Sequence, residues 1–234
     1  MLALAAVPAL ALAPLALSRR VNRSQIRKRK AHACVGLLFM KRIAFILILF
    51  ACSCSAALAQ WERLQSGDLL FVHDTCGMGQ AVQQTTGQYT HVALVERCGD
   101  TLFIIDATPT LGVSRHNLSP LTFHLSPCDA YRLTIPFDTI AVITRAHRFL
   151  GQPYDNAFMH DNGALYCSEL IYECFLDSAG NHLFEAIPMN WRAPDGTIPQ
   201  YWLDHFNKLN TPIPEGLPGT NPTAISRSPL LRKL

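Results

Sequence analysis

The stretch Tyr166-Cys167-Ser168-Glu169-Leu170-Ile171 constrains this chain more than any other. It sets a thiol where a polar loop gives way to an apolar-faced helix, with Leu170, Ile171, Cys174 and Phe175 recurring at helical spacing. Cys167 therefore stands in or just before the first turn, where free backbone N–H groups and the helix dipole favour a thiolate over a thiol. Far upstream, Thr90-His91-Val92-Ala93-Leu94-Val95 reads as a strand that carries a histidine among apolar residues. A histidine is costly there without a partner. A helix-start thiol and a strand-borne imidazole together read as the nucleophile and base of a cysteine hydrolase. Each also has a plainer reading: Cys167 as a buried packing residue like Cys174, and His91 as a satisfied core or edge histidine.

The elements around them predict an antiparallel sheet packed against helices, an α+β architecture. Asp68 to Val72 reads as a first buried strand, followed by a Gly/Gln-rich loop from Asp74 to Thr90 with a short helix at Met78 to Thr85. After the His91 strand, Cys98-Gly99-Asp100 turns the chain into a strand from Thr101 to Ala107, which is hairpin grammar. Tyr131 to Ile135 adds a strand. Phe137 to Leu150 reads as a helix with Ile140, Ile143, Ala146, Phe149 and Leu150 on one face, capped by Asp138 or Thr139 and stopped by Gly151 and Pro153. The Cys167 helix is expected to reach Ser178 and end at Gly180-Asn181, and Ile198 to Asn207 to pack through Trp202 and Phe206. After Asn210, Pro212, Pro214, Pro218 and Pro222 with Gly216 and Gly219 predict no regular structure, and residues 211–234 read as an extended strap or tail. There are no internal repeats.

The hairpin brings Asp106, at the end of Ile104-Ile105-Asp106-Ala107, within reach of His91, where it can accept an imidazole N–H and fix the tautomer. Its plainer reading is a strand-end turn former, and Glu96 is the rival orienter, otherwise solvated at its strand end. The oxyanion formed by thiolate attack needs donors, and the Cys167 backbone N–H is the first of them. Ser168 and Glu169 suit the helix start better than the reaction. His73, His116, His124, His147, His160, His182 and His205 read as surface or packing residues.

At these residues the chain resembles the NlpC/P60 superfamily of papain-like cysteine amidases and peptidases. It is most similar to the circularly permuted, YiiX/YebB-like branch, which is related to lecithin:retinol acyltransferase-like enzymes. The pieces are Gly67-Asp68-Leu69-Leu70-Phe71, the His91 strand, Ile104-Ile105-Asp106-Ala107 with Gly112-Val113, Gly151-Gln152-Pro153-Tyr154-Asp155, and the Cys167 helix, with the histidine before the cysteine. The resemblance implies a circularly permuted papain-like (NlpC/P60) fold over residues 60–210 and a Cys167, His91, Asp106 catalytic set. It makes the Tyr154 hydroxyl a candidate second oxyanion donor, against a structural tyrosine beneath the helix, with Tyr166 lining the cleft. It implies amide hydrolysis of small peptides, such as cell-wall-derived or γ-glutamyl peptides. Relatives acting on acyl esters and lipids make ester hydrolysis or acyl transfer the alternative, and a non-catalytic binding module of the same fold is a third reading.

The amino-terminal residues carry a different message. Met40-Lys41-Arg42, the apolar run Ile43 to Ala51 and Ala57-Leu58-Ala59 before Gln60 have the layout of a signal peptide at residues 40–59. The run is short for a membrane span. Leu49-Phe50-Ala51-Cys52 offers lipidation at Cys52 as the competing reading, and residues 1–39 read as an over-extended frame or an extra anchor. An exported, periplasmic or secreted protein follows. Residues 1–59 hold nine of the 20 Lys and Arg and none of the 17 Asp and Glu, which leaves 11 basic against 17 acidic residues, a balance of −6. That charge marks no nucleic-acid groove. The same cut leaves Cys76, Cys98, Cys128, Cys167 and Cys174: one reactive thiol, plus four that form two disulfides or stay as buried thiols. No zinc-type spacing is present, and neither metal nor cofactor is expected.

Overall fold

The computed structural model describes residues 62–75, 77–118 and 127–234. The signal, lipidation and start-site expectations, with Cys76 and His124, lie outside them. Six strands form one antiparallel sheet: β1 (Leu69–Val72), β2 (His91–Cys98), β3 (Thr101–Thr108), β4 (Gly112–Asn117), β5 (Cys128–Leu133) and, last in the chain, β8 (Leu231–Lys233). Their order is β4-β3-β2-β1-β5-β8. Helices α1 (Gly77–Thr86), α2 (Thr139–Arg148), α3 (Cys167–Cys174), α4 (Gln200–Leu209) and α5 (Pro222–Ser226) and a small ladder of β6 (Ile187–Pro188) with β7 (Pro218–Gly219) complete it.

β1 lies between β2 and β5, and all four of its residues are buried. Side chains alternate across the sheet. On one face Leu69, Phe71, Val92, Leu94 and Ile105 pack with Val142 and Ala146 of α2 and with Leu170, Ile171 and Cys174 of α3. On the other, Leu70, Ala93, Val95, Ile104 and Ala130 gather with Leu64 and Leu118. A central strand covered on both faces explains why Leu69-Leu70-Phe71-Val72 is apolar throughout. Just before it, Asp68 is 1% exposed and takes the Arg132 fork on both oxygens, at 2.6 and 2.7 Å. The fork satisfies a charge that burial alone would penalise.

Four sequence expectations are corrected. β4 was not anticipated, because Gly112-Val113-Ser114-Arg115-His116-Asn117 is a polar edge strand without the apolar alternation that marks one. Residues after Asn210 are not irregular: Asn221 caps α5 through Ala224 N–H at 2.7 Å, Pro222 sits where a helix needs no N–H, and β8 extends the sheet along β5. α3 ends at Cys174 rather than Ser178, since Asp177 Oδ1 accepts the Ala179 and Asn181 N–H groups and closes a turn that competes with helix. In α2, Asp138 is the cap, as one of the two candidates, but Ile140 is 80% exposed and Val142 takes the core position.

Candidate active site

Cys167 is the first residue of α3, preceded by Tyr166 in extended conformation, and is 6% exposed. The Tyr166 N–H donates to Glu169 Oε2 at 3.4 Å and the Tyr166 carbonyl accepts from Leu170 N–H at 3.0 Å, so the helix start is fixed from both sides of the thiol. α3 lies against β2 and β3, the strands that carry His91 and Asp106. His91 Nε2 meets Asp106 Oδ2 at 2.8 Å; their side chains are 24% and 6% exposed. Burial pulls the imidazole's pKa down, but the Cys167 charge, the hydrogen bonds to Asp106 and Cys167 and the Asp106 charge outweigh it, and the pKa is pushed up to about 10. With Nε2 engaged by Asp106, Nδ1 is the nitrogen left for Cys167. An imidazolium donates from both nitrogens, so the two bonds coexist without a choice of tautomer.

The segment before Cys167 also places Tyr154. Tyr154 and Leu165 form a bridge in which Leu165 N–H donates to the Pro153 carbonyl at 3.1 Å and Asp155 N–H donates to the Leu165 carbonyl at 3.2 Å. Asp155 then accepts the Ala157 and Met159 N–H groups and fixes the following turn. Behind it, Val113 N–H donates to the Gln152 carbonyl at 2.8 Å, and a Cβ at Gly112 would collide with that carbonyl. Gly112-Val113 and Gly151-Gln152-Pro153-Tyr154 are therefore one docked unit. Burial, then the Cys167 charge, raises the Tyr154 phenol well above its usual range and keeps it a neutral donor. Tyr166 departs from the expectation that it lines the cleft: it is 2% exposed, and its hydroxyl accepts the Thr220 N–H at 3.0 Å, tying the carboxy-terminal segment to the helix start.

Other polar residues differ from their sequence reading. Glu96 is not solvated. It is 7% exposed and binds Arg115 Nε at 2.6 Å and His147 Nε2 at 3.1 Å, away from His91. Glu169 is 1% exposed and faces His160 Nδ1 at 2.9 Å, and its burial, followed by nearby carboxylates and despite the Tyr166 N–H, pushes its acid up to about 8. His160 thus holds a buried carboxylate, and His147 holds Glu96 from an exposed position. No spacing in the sequence signals those pairings, because each joins residues from separate elements. Cys98, Cys128, Cys167 and Cys174 are all free thiols, so no disulfide joins any two of them. Between α1 and the loop after Tyr154, Val82, Thr85, Phe158, Met189, Trp191 and Trp202 line a cavity of about 40 Å³.

A permuted papain-like amidase family, YaeF/YiiX, C92, matches residues 63–234. The chain belongs to this family. Its membership accounts for the order of the parts, with the histidine strand ahead of the cysteine helix, and for the inclusion of the carboxy-terminal strand in the domain. Among solved structures, the crystal structure of the metalloprotein YiiX from Escherichia coli O157:H7 is similar, with a TM-score of 0.61 at 20% identity over 73% of this chain and 96% of that one. That likeness shows the fold. No curated protein sequence matches.

Proposed function

We propose that this member of the amidase family is an exported cysteine hydrolase that cleaves amide bonds in small peptides, with cell-wall-derived or γ-glutamyl peptides as the substrate class. The observation that carries the reading is His91 held between the Asp106 carboxylate and Cys167. In the proposed reaction the Cys167 thiolate attacks the amide carbonyl, and the oxyanion is met by the Cys167 backbone N–H and the Tyr154 hydroxyl. The His91 imidazolium gives its proton to the departing amine, leaving a thioester on Cys167. Neutral His91 then takes a proton from water, whose oxygen attacks the thioester and releases the acid. Asp106 holds the ring and stabilises its charge in both steps.

Among the described residues, no three His, Cys, Asp or Glu side chains converge on a point that would hold an ion. The word metalloprotein describes YiiX, and each step above is written through side chains of this chain. The signal-like residues 40–59 support export. Hydrolysis of a panel of muropeptides, γ-glutamyl peptides and acyl esters by the mature protein and its Cys167→Ala variant tests the reading. Cys167-dependent release of amine from the peptides is expected. Turnover of acyl esters alone would move the substrate to lipids, and full activity in the variant would overturn the mechanism.

A further inference from the structure

Three buried polar atoms without hydrogen-bond partners lie together behind the candidate triad: Asp106 Oδ1, Ser114 Oγ and His116 Nδ1. The β3–β4 register explains their meeting. Asp106 is paired with Ser114 and Ile104 with His116, so Asp106, Ser114 and His116 share one face of the sheet. His116 Nδ1 is 3.9 Å from Asp106 Oδ1, too far for a direct hydrogen bond and suited to a contact through water. A buried water needs two to four polar partners, and these three atoms on paired strands can supply them. Leaving all three unsatisfied would cost more than the strand pairing around them is expected to tolerate. Asp106 is thus approached from two sides: His91 takes Oδ2 at 2.8 Å, and on β4 the His116 imidazole stands 3.9 Å from Oδ1 while Ser114 is paired opposite Asp106.

We infer that Ser114 and His116 are positioning residues for the reaction: through one shared water they hold Asp106 Oδ1, and so fix the carboxylate that orients His91. The inference rests on the thiolate–imidazolium reading of Cys167 and His91. It assigns a role to β4, whose polar sequence a covering strand would not need. A carboxylate fixed at one oxygen only can rotate about its Cα–Cβ and Cβ–Cγ bonds and carry the His91 ring with it. Fixed at both, it keeps Nδ1 of His91 directed at the thiol.

The test is the rate of iodoacetamide labelling of Cys167 at about pH 6, where only an activated thiol reacts appreciably, followed by peptide mass spectrometry. His116→Leu is expected to label three- to tenfold more slowly than the unmutated protein, roughly the worth of one hydrogen bond. His116→Asn places an amide where Nδ1 stands and is expected to recover the rate to within about twofold. Labelling of Cys174, buried on the same helix, reports any loosening of the fold and is expected to stay slow in every variant. An unchanged rate in His116→Leu, or equal slowing in Leu and Asn, would overturn the inference. Should the Leu variant not fold, Ser114→Ala carries the test: slower labelling supports the shared water, and an unchanged rate overturns it. If the unmutated protein labels no faster than its His91→Ala variant, the thiolate–imidazolium pairing itself fails, and this inference with it.

Discussion

Two carboxylates of the same sheet are each paired with a histidine and do different work: His91 lies on the strand beside Asp106, whereas His147 reaches Glu96 from α2. His91 and Asp106 meet at 2.8 Å, and His147 and Glu96 at 3.1 Å, so distance does not separate them. Their surroundings do. Glu96 also binds the Arg115 guanidinium, and although burial opposes it, those bonds hold its acid below the usual carboxylate range. Its charge is already matched, and the His147 side chain is 41% exposed at the rim. Among the described residues no arginine pairs with Asp106, and its histidine faces a thiol at a helix start. An imidazole becomes a working base when its carboxylate has charge to spare and a proton donor stands opposite.

The contrast breaks first at the thiol. Cys167→Ala should lower amide hydrolysis by about 10⁴-fold or more, with circular dichroism and melting little changed, since the substitution removes a single sulfur atom from the core. His91→Ala should cost on the order of 10²- to 10⁴-fold in kcat/KM. Asp106→Asn should cost less than either, about ten- to a hundredfold, as expected for a group that acts through another. His147→Ala should leave hydrolysis within about twofold, because His147 is itself exposed and Glu96 keeps the Arg115 guanidinium as its partner. Loss of activity in the last variant comparable to that of Asp106→Asn would erase the distinction between the pairs.

A smaller effect should appear in stability. Glu169 has its acid raised from 4.5 to about 8, so the folded chain binds this proton more tightly than the unfolded one. Stability from that group is fully present below about 4.5 and is lost as pH rises through about 8. Urea midpoints across that window should fall with rising pH in the unmutated protein and fall less in Glu169→Gln. An identical slope in both would mean that Glu169 does not hold the proton.

The helix start at Cys167, the His91 strand and the hairpin to Asp106 were legible because each is local: a periodic apolar face, an apolar run and a turn. The unit that places Tyr154 was visible only as separate motifs. Its joining depends on the Gln152 carbonyl meeting Val113 N–H across 39 positions of sequence. Strand β8 escaped notice because Leu231-Arg232-Lys233 acquires its conformation from β5, not from its own pattern. Prolines after Asn210 suggested disorder, yet Pro222 at the first position of α5 is where proline favours a helix. Glu96 seemed solvated at a strand end because its partners, Arg115 and His147, come from β4 and α2.

The most direct test of the central pairing is the pH dependence of iodoacetamide labelling at Cys167, compared between the unmutated protein and its His91→Ala variant. The geometry predicts rapid labelling in mildly acidic solution that is lost when His91 is removed. Labelling that follows an ordinary thiol titration in both proteins would contradict the pairing and leave a binding module with this fold.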